Sequence, residues 1–594
     1  MNIDEFTKDF EKILTATERP SRYIGDEFGS YDKDFNKAKT RFVFAYPDKY
    51  EIGISNFGGK ILYDLINKED DLMCDRTYAP EIDFLNLLKE NNKLLYSHEA
   101  KKPIKDFDFI GFGLQYEMNY TTVLKMLEIS GINPISNLRK ENDPIIAAGG
   151  PCVSNPQPMS KFIDIFMIGD GEEVVIEIMR KYQTLKGQKR EDIIKELAKI
   201  EGIYAPLVDN FTKKRTVKLT KENHPTISPI PHFSSIHDRA TIELRRGCGR
   251  MCRFCQASHI NLPVRERRSK DVIELAKEYV KNTGYDEYSL LSLSSNDHTN
   301  IETILENLNC HFKDTGINVS LPSQRADKFS LKLAQLASCE RKAATTIAPE
   351  AGSQRMRDVI NKNLSEDEII NATISCLKNG WNKIKYYFII GLPFENKEDL
   401  KAIIDLILKV NEKCRENGLK YPQITCSMSI FVPKPFTPFQ WAGQDKLDVI
   451  EEKIKFLKAY KEEKKLKNVR LNFHNTKTTM LEAYFARADK SACELIQKMY
   501  EKGAYLEAWD ENLNFEMYLD TAKELNIDIQ NEASREFGEF NVFPWDKINY
   551  GVNKSWLFEE YKKAKNATLT VPCEVKCSNC GACQNLKMTK ILDV

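Results

Sequence analysis

Residues 243–257 read ELRRGCGRMCRFCQA and place Cys248, Cys252 and Cys255 in the spacing C-x3-C-x2-C, directly after a predicted strand. Three thiolates can hold three irons of a [4Fe-4S] cluster and leave the fourth iron open to a chelating ligand. The alternative is a structural zinc site with His259 as the fourth ligand, because structural zinc takes four protein ligands. Zinc sites more often use C-x2-C pairs, so the spacing favours the iron–sulfur cluster.

This motif opens a series of predicted strands and helices that runs from residue 239 to residue 445. Six apolar runs alternate with helical patterns, and they lie at residues 241–244, 288–294, 317–323, 342–350, 384–393 and 424–433. The alternation predicts a partial (β/α)6 barrel, an open relative of the eightfold barrel, with its chemistry at the carboxyl ends of the strands.

An earlier alternation of strands and helices, over residues 39–183, predicts a separate α/β domain. Its apolar runs at residues 41–46, 107–114, 144–148 and 163–168 are continuous. Continuous apolar strands separated by helices indicate a parallel sheet that is covered on both faces. The fold class expected for this domain is therefore a doubly wound, flavodoxin-like α/β fold.

Two glycine-rich turns follow predicted strands of this domain. Gly149 and Gly150 form the first, and Gly169 and Gly171 belong to the second. Doubly wound sheets bind ligands at the carboxyl ends of their strands, and glycine lets the backbone approach a bulky ligand closely. We therefore expect these four glycines to contact a ligand. The alternative is that each pair only makes a tight turn.

Three segments lie outside the two predicted α/β domains. Residues 1–38 predict a charged helical lead-in, and the stretch 184–238, rich in proline and lysine, predicts a linker that could carry a small strand pair. Residues 446–594 predict a mainly helical domain that ends in a second cysteine cluster, formed by Cys573, Cys577, Cys580 and Cys583. Four thiolates suit either structural zinc or a second [4Fe-4S] cluster. The short spacings favour the iron–sulfur cluster.

The composition is that of an ordinary globular protein without net charge. Among 594 residues, Lys+Arg and Asp+Glu number 87 each, so the chain lacks the field of a non-specific nucleic-acid binder. Local basic patches keep RNA as a candidate substrate. No apolar run approaches the roughly 20 residues that cross a bilayer, and the N-terminus lacks a secretion signal. The fifteen cysteines indicate metal and thiol chemistry, so we expect a cytoplasmic protein without membrane insertion.

The first cysteine motif resembles that of the radical SAM superfamily, C-x3-C-x-aromatic-C after the first barrel strand. Cys248, Cys252, Phe254 and Cys255 match it position by position. The resemblance implies that the open iron binds the amino and carboxylate groups of S-adenosylmethionine (SAM). It also implies that one electron, from a low-potential donor of the flavodoxin or ferredoxin type, breaks the C5′–S bond and yields a 5′-deoxyadenosyl radical.

Further positions of the resemblance follow at the later strand ends. Ser294 and Ser295 stand where the superfamily usually has a Gly-Gly-Glu run that contacts the methionine amine, which is a departure from the pattern. The resemblance implies contacts to SAM from the following residues: Ser323 and Arg325 to the carboxylate or ribose, Glu350 to the ribose or amine, and Gly391 and Pro393 along the adenine.

Residues 149–173, GGPCVSNPQPMSKFIDIFMIGDGEE, resemble the cobalamin-binding domain of cobalamin-dependent radical SAM enzymes. The resemblance implies that the four glycines of this stretch contact cobalamin. Residues 48–53 read D-x-Y-x-x-G, whereas cobalamin proteins that supply a lower axial ligand have D-x-H-x-x-G. The resemblance therefore implies a base-off, His-off cobalamin. Tyr50 either approaches the cobalt or packs beneath the loop.

Over nearly its whole length the chain resembles a largely uncharacterised bacterial family that fuses these two domains. The first hypothesis for its function is cobalamin-dependent methyl transfer to a carbon atom by radical SAM chemistry. The second is sulfur insertion or rearrangement, for example on RNA, with an N-terminal domain that does not bind cobalamin. The third is an iron–sulfur redox sensor or binding scaffold.

Overall fold

The computed structural model of the chain describes residues 3–322 and 345–593, and between these ranges also Arg325, Asp327, Lys332, Leu333 and Leu336. These residues form a mixed α/β structure with two groups of parallel strands. One group, the first sheet, ends at residue 204, and the other, the second strand group, begins at residue 240.

The first sheet has the strand order β2-β1-β3-β4-β5-β6, in which β1 to β5 are parallel and β6 is antiparallel to β5. Its strands are β1 Thr40–Tyr46, β2 Leu72–Tyr78, β3 Phe109–Gly113, β4 Ile145–Gly149, β5 Ile165–Met167 and β6 Ile203–Tyr204. Its helices are α1 Ile3–Ala16, α2 Tyr50–Gly53, α3 Phe57–Lys68, α4 Ile82–Glu90, α5 Tyr120–Ile129, α6 Gly171–Leu185 and α7 Arg190–Leu197. The four strands predicted from apolar runs are confirmed as β1, β3, β4 and β5.

Strand β2 was not predicted from the sequence because charged residues interrupt its apolar pattern. Asp75 and Arg76 are both buried in this strand. Arg76 forms ion pairs with Glu27, at 2.8 Å, and with Glu99. Asp75 accepts hydrogen bonds from the backbone N–H groups of Glu99 and Ala100. Buried charges are tolerated when they are paired and hydrogen-bonded, and both conditions hold in this strand.

Alternate side chains of β1 enter two different hydrophobic cores, as the two-residue period of a strand requires. Phe42 and Phe44 belong to a core on the α3 and α6 side of the sheet. Val43 and Ala45 belong to a core on the other face, which also contains Val123 of α5. This second core continues into residues 480–582, so the C-terminal region covers one face of the first sheet.

The second strand group consists of two parallel sheets, which do not pair with each other within the described residues. The first contains β8 Ala240–Glu243, β11 Glu287–Leu291 and β12 Asn318–Ser320, and the second contains β13 Thr345–Glu350, β14 Lys383–Ile390, β15 Gln423–Ile430 and β16 Val469–Phe473. The helices are α8 Gln256–Ile260, α9 Ser269–Thr283, α10 Ile301–His311, α11 Gln354–Val359, α12 Glu366–Lys378, α13 Lys397–Glu416 and α14 Leu447–Glu463.

The six predicted strands of this group are found, although residues 323 and 342–344 of the predictions lie outside the described residues. Strand β16 is an addition, since the chain after residue 445 was predicted to be mainly helical. Its exposed Arg470 and Asn472 alternate with more buried residues, which is typical of a strand at the edge of a sheet. A short run with only three apolar residues carries little periodic signal.

The remaining elements join distant parts of the chain. β7 Thr212–Lys213 pairs in parallel with β17 Ile548–Asn549, and β9 Arg245–Arg246 pairs with β10 Arg265–Glu266. The C-terminal helices are α15 Thr476–Arg487, α16 Ala492–Glu501, α17 Phe515–Glu524, α18 Ile529–Ser534, α19 Lys554–Lys565 and α20 Ala582–Asn585. The segment 184–238, predicted as a linker, contains α7 and adds β6 to the first sheet. In the described part of the chain, no helix combines the length and apolar character needed to cross a membrane.

Candidate functional site

A cavity of about 590 Å³, the central cavity, lies between the first sheet and the second strand group. The first sheet lines it with residues that end or follow strands: Asn56, Phe57, Gly113, Gln115, Gly149, Gly150, Gly169 and Gly171. The second strand group lines it with Glu243, Arg245, Arg246, Gly247, Gln256, Ala257, Leu291 and Ser292. The cavity therefore lies at the carboxyl ends of both sets of parallel strands, where α/β proteins bind their ligands.

The structure brings the four predicted glycines together on one wall of this cavity. Gly150 and Gly169 have φ angles of 109° and 96°, a left-handed conformation that other residues rarely adopt. Gly149 is different, because a Cβ atom placed on it would meet only Met167, at 3.8 Å. Gly149 therefore leaves free space in the cavity, although its backbone conformation would also allow a side chain.

Tyr50 is not brought to the central cavity. Its hydroxyl group donates a hydrogen bond to Glu27, at 2.8 Å, and its ring packs beside His98. The loop that precedes it is held by Asp48, which accepts a hydrogen bond from the Trp509 indole at 2.8 Å. Asn56 and Phe57, which sequence analysis did not select, line the cavity from the same connection. Among the described residues, no histidine lines the cavity.

The cysteine loop, residues 248–255, runs along the side of the central cavity between Gly247 and Gln256. The Cys252 side chain is buried, and Cys248 and Cys255 are half-buried free thiols. Burial, followed by the proximity of Cys252, raises the pKa of the Cys248 thiol to about 12, and Cys255 acts in the same direction. Such thiols become thiolates when a metal centre binds them. Three free thiols in one loop fit the ligand set of a [4Fe-4S] cluster.

A cubane cluster binds each thiolate at a different iron, so its protein ligands do not share one metal atom. Within the described ranges, no group of three or more His, Cys, Asp or Glu side chains is placed to hold a metal ion.

Two arginines of the cysteine loop hold it in place through contacts with other segments of the chain. Arg253 is fully buried, forms an ion pair with Glu560 at 3.0 Å and donates to the backbone oxygens of Val359 and Thr568. Arg250 donates to Asp297 at 3.0 Å. These contacts tie the loop to three other segments of the chain, so its conformation depends on the turn after β11, on α11 and on residues 560–568.

The serines after β11 use their hydroxyl groups within their own turn. Ser294 donates to Asp297 at 2.6 Å, and Ser295 donates to the backbone oxygen of Leu290 at 3.0 Å. Arg325 forms an ion pair with Asp327 at 2.9 Å and donates to the backbone oxygen of Lys362. Ser323 lies outside the described residues.

Residues after β13 and β14 lie beside the cysteine loop. Glu350 forms an ion pair with Lys362 at 3.0 Å. Burial raises the pKa of the Cys255 thiol, and the positive charge of Lys362 partly opposes this shift. Phe254 packs against a hydrophobic cluster that contains Ala351 and Leu392, the neighbours of Glu350 and of Gly391 and Pro393. The structure therefore brings these predicted positions to one region.

The Gly391 turn is held by a buried carboxylate. The backbone N–H of Gly391 donates to Glu395 at 2.7 Å, and Lys453 pairs with Glu395 at 2.9 Å. Burial raises the pKa of Glu395 to about 7, even though Lys453 favours its charged form.

Arg246 connects the two walls of the central cavity, and sequence analysis did not select it. Its guanidinium lies 2.7 Å from Glu172, 3.0 Å from Asp170 and 2.9 Å from Glu243. Arg265 also pairs with Asp170. Glu172 and Asp170 lie more than seventy residues before Arg246 in the sequence, so only the folded chain shows the network. In the sequence, the only sign of this network is that Asp170 and Glu172 lie in the second glycine-rich turn, while Glu243 and Arg246 lie just before the first cysteine motif.

The second cysteine cluster lies against the cysteine loop. The backbone N–H of Cys573 donates to the backbone oxygen of Gly249 at 2.7 Å, and Glu574 forms an ion pair with the buried Arg245. Burial, followed by Glu574, raises the pKa of the Cys573 thiol to about 11, and Cys580 and Cys583 add to this effect. Cys573 therefore lies against the backbone of the cysteine loop, with Cys580 and Cys583 near it.

Two family models match the chain. Residues 58–206 match the model of radical SAM proteins, N-terminal, and residues 242–407 match that of the radical SAM superfamily. The uncharacterized protein MJ0966 of Methanocaldococcus jannaschii is 30% identical over 482 residues, which are 80% of this chain and 94% of MJ0966.

More distant relatives cover smaller parts. The anaerobic magnesium-protoporphyrin IX monomethyl ester cyclase of Cereibacter sphaeroides is 23% identical over 49% of this chain and 46% of its own length. A tRNA-2-methylthio-N(6)-dimethylallyladenosine synthase of Pelagibacter ubique is 25% identical over 49% of this chain and 66% of its own length.

Among solved structures, the radical S-adenosylmethionine methyltransferase TsrM from Kitasatospora setae, with tryptophan substrate and a SAM analog bound, matches with a TM-score of 0.46 and 11% identity. The match covers 68% of this chain and 75% of TsrM. The family models and the similarity to MJ0966 show that this chain belongs to the radical SAM superfamily of enzymes.

Proposed function

We propose that this radical SAM enzyme is cobalamin-dependent and transfers a methyl group to a carbon atom of a substrate held in the central cavity. The observation that carries the proposal is that one cavity is bounded by the strand-end glycines of the first sheet and by both flanks of the cysteine loop. Gly247 precedes Cys248, and Gln256 follows Cys255. A ligand on the first sheet would therefore lie beside a ligand of the cluster.

The strand order of the first sheet supports a large cofactor on that wall. The order 2-1-3-4-5 is the flavodoxin-like order, in which ligands bind at the switch point between β1 and β3. Asn56 and Phe57 follow β1, and Gly113 and Gln115 end or follow β3, and all four line the central cavity. Aromatic side chains and bare backbone at a switch point suit a broad, flat ring system such as a corrin.

The residues around the cavity suggest the following roles. Cys248, Cys252 and Cys255 would hold the [4Fe-4S] cluster, and Glu350 and Arg325, at the ends of later strands, would orient SAM. Gly149, Gly150 and Gly171 would lie against cobalamin, and the lack of histidine among the described cavity residues supports the His-off form. When bound, these groups supply reductive cleavage of SAM and methyl transfer. The two walls would limit the access of water to the reaction.

The test is the content and state of cofactors in protein purified without oxygen. We expect about four irons at the cysteine loop and about one cobalamin per chain, with methylated product formed from a carbon-centred acceptor. The cob(II)alamin EPR spectrum should lack nitrogen splitting from an axial base. Iron-loaded protein that cleaves SAM but never takes up cobalamin would remove the methyl-transfer proposal and leave the radical SAM assignment intact.

A second candidate is sulfur insertion into RNA. Two observations favour it: four more cysteines lie against the cysteine loop, and several relatives are named tRNA-2-methylthio-N(6)-dimethylallyladenosine synthases, at 22–25% identity. Incubation with tRNA, followed by mass spectrometry of nucleosides, separates the two. Thiolated nucleosides would support this candidate, and methylated products the first. Both proposals place the enzyme in a reducing cytoplasm, where free thiols persist.

A further inference from the structure

We propose that residues 568–593, the C-terminal segment, are where electrons enter the enzyme. Its four cysteines hold a redox-active iron–sulfur cluster, and the surface around Cys577 docks an acidic one-electron donor protein. This inference rests on the radical SAM chemistry above, which consumes an electron, and it does not depend on whether the product is methylated or thiolated.

The loop of the C-terminal segment brings four free thiols together over a short stretch of backbone. Cys573, Cys577, Cys580 and Cys583 are free thiols within eleven residues. The backbone N–H of Asn579 donates to the sulfur of Cys577 at 3.5 Å. Asn579 and Gly581 both have positive φ, 55° and 92°, which turns this backbone around the sulfur atoms. Hydrogen bonds to cysteine sulfur are one of the factors that set the potential of an iron–sulfur cluster.

The segment contacts the cysteine loop directly. Cys573 donates through its backbone N–H to Gly249, the residue after Cys248, at 2.7 Å. The next residue, Glu574, forms an ion pair with Arg245, whose side chain is 1% exposed. A Cβ atom on Gly249 would lie 2.2 Å from the Glu574 carboxylate, so the two loops touch with no room for a side chain between them. One hydrogen bond thus connects the backbones of the two cysteine groups.

The two groups differ in their access to solvent. Cys252 of the cysteine loop is buried, and Arg253, also buried, packs that loop against Glu560 of α19. In the C-terminal segment Cys580 is buried, but Cys577 is exposed and Val575 is 76% exposed. A protein donor can therefore approach the outer group, the four cysteines of the C-terminal segment, at the exposed Cys577, whereas in the cysteine loop Cys252 is buried and Cys248 and Cys255 are only half-buried.

The charge around the outer group favours an acidic partner. The C-terminal segment contains three lysines, Lys576, Lys587 and Lys590, and two carboxylates, although the whole chain is neutral. Both carboxylates face inward: Glu574 pairs with Arg245, and Asp593 accepts from the backbone N–H of Ser269 at 2.9 Å. A basic surface around exposed Val575 and Cys577 is complementary to an acidic electron carrier.

A reduced flavodoxin or ferredoxin gives up one electron and leaves oxidised by one electron. The electron passes through the outer group to the [4Fe-4S] cluster at the cysteine loop and from there into the C5′–S bond of SAM. That bond breaks into methionine, which keeps the electron pair on sulfur, and the 5′-deoxyadenosyl radical.

The first experiment counts iron and acid-labile sulfide. Wild-type protein should bind about eight irons per chain, and the Cys577→Ala/Cys583→Ala variant about four. The matched control is Cys310→Ala, which removes another exposed cysteine from α10 and should keep about eight. Circular dichroism verifies that each variant is folded. Zinc in place of iron at the outer group, or a double variant with the iron content of wild type, would overturn the inference.

The same count separates failure of this inference from failure of the radical SAM assignment. Cys252→Ala should remove about four irons from the cysteine loop. If wild type binds only about four irons and Cys252→Ala binds none, the radical SAM assignment is supported and the proposed cluster in the C-terminal segment is refuted. If Cys252→Ala retains all the iron, the assignment itself falls.

The second experiment measures donor docking with an acidic flavodoxin as the probe. The charge-reversal variant Lys576→Glu/Lys587→Glu should weaken flavodoxin binding at least about tenfold at low salt, and less at high salt because salt screens exposed charges. The control Lys420→Glu/Lys467→Glu reverses two exposed charges in the loops that precede β15 and β16 and should bind as wild type does. Equal weakening in both variants, or none in the first, would refute docking at this surface.

Discussion

The Arg246 guanidinium lies 2.7 Å from the Glu172 carboxylate, and this ion pair joins the strand before the cysteine loop to the helix after β5. The two residues line opposite walls of the central cavity. Arg246 is only 15% exposed, so the pair is largely shielded from solvent. The distance between a ligand on the first sheet and one on the cysteine loop therefore depends on this contact.

Loss of Arg246 should destabilise the junction between the two walls. Arg246→Met would leave Glu172 buried without its cation, and removal of one partner from a buried pair typically costs about 3–5 kcal/mol. We expect a thermal unfolding midpoint several degrees lower and a lower iron content after purification. Glu172→Gln should be milder, because Arg246 keeps Asp170 and Glu243. Equal midpoints for Arg246→Met and wild type would contradict this role of the ion pair.

Gly149→Ala should reduce cofactor affinity without unfolding the protein. The added methyl group meets only Met167, at 3.8 Å, and otherwise enters the central cavity. We expect cobalamin to bind at least about tenfold more weakly, a loss of about 1.4 kcal/mol, in an equilibrium titration followed by absorbance. The matched control is Gly538→Ala, an exposed glycine whose Cβ would meet only Asn541. Unchanged cobalamin affinity in Gly149→Ala would show that the ligand does not approach this wall.

Gly249 and Glu574 should behave as a coupled pair. Gly249→Ala would push the Glu574 carboxylate away from Arg245, and Glu574→Gln would remove its charge. Each change should cost about 1–3 kcal/mol and expose the C-terminal segment to limited proteolysis. Because both break the same contact, the double variant should be scarcely less stable than either single variant. Strictly additive losses in a double-mutant cycle would rule out the coupling.

Glu507 should make the stability of the protein fall between mildly acidic and neutral pH. Burial raises the pKa of Glu507 from 4.5 to about 7, although hydrogen bonds from Tyr518 and Thr121 favour its carboxylate. The folded state therefore holds this proton more tightly than the unfolded state. The free energy of unfolding then decreases as pH rises from about 4.5 to about 7, by an amount on the order of 3 kcal/mol.

The measurement is the unfolding midpoint of Glu507→Gln and wild type between pH 5 and pH 8. The wild-type midpoint should decline with pH more steeply than that of the variant, because glutamine does not titrate. The control is Glu511→Gln, which changes an exposed carboxylate in the same connection and should follow the wild-type profile. Parallel profiles for Glu507→Gln and wild type would disprove the role of this group.

Strands that are buried on both faces could be predicted from the sequence, because an uninterrupted apolar run needs cover on every side. β1, β3, β4 and β5 are found within two residues of their predicted limits. β2 was missed because its charged residues have their partners elsewhere in the chain: Arg76 pairs with Glu27 and Glu99, and Asp75 accepts a hydrogen bond from the backbone N–H of Glu99. A single sequence does not reveal such long-range partners.

The candidate site could be predicted where it depends on the backbone, and less well where it depends on side-chain partners. Glycines at strand ends meet at one edge because the strands are parallel, which brought Gly149 and Gly171 together. Tyr50 instead turns to Glu27, and Ser294 to Asp297. The hydrogen-bond partner of a polar side chain depends on the residues that pack around it, and these residues come from other elements.

The core shared by the first sheet and the C-terminal region has a consequence for biosynthesis. Ile168 and Met480 belong to the same hydrophobic core, although about 300 residues separate them in the chain. At roughly 5 to 20 residues per second, a ribosome needs about 15 to 60 s to make that stretch. During this time α4 and α5 cover part of that face of the nascent first sheet, and the part that the C-terminal region covers stays exposed. Completion of this core must therefore wait until residues 480–582 have been made, and a chaperone that shields the exposed part of the sheet until then would help the chain to fold.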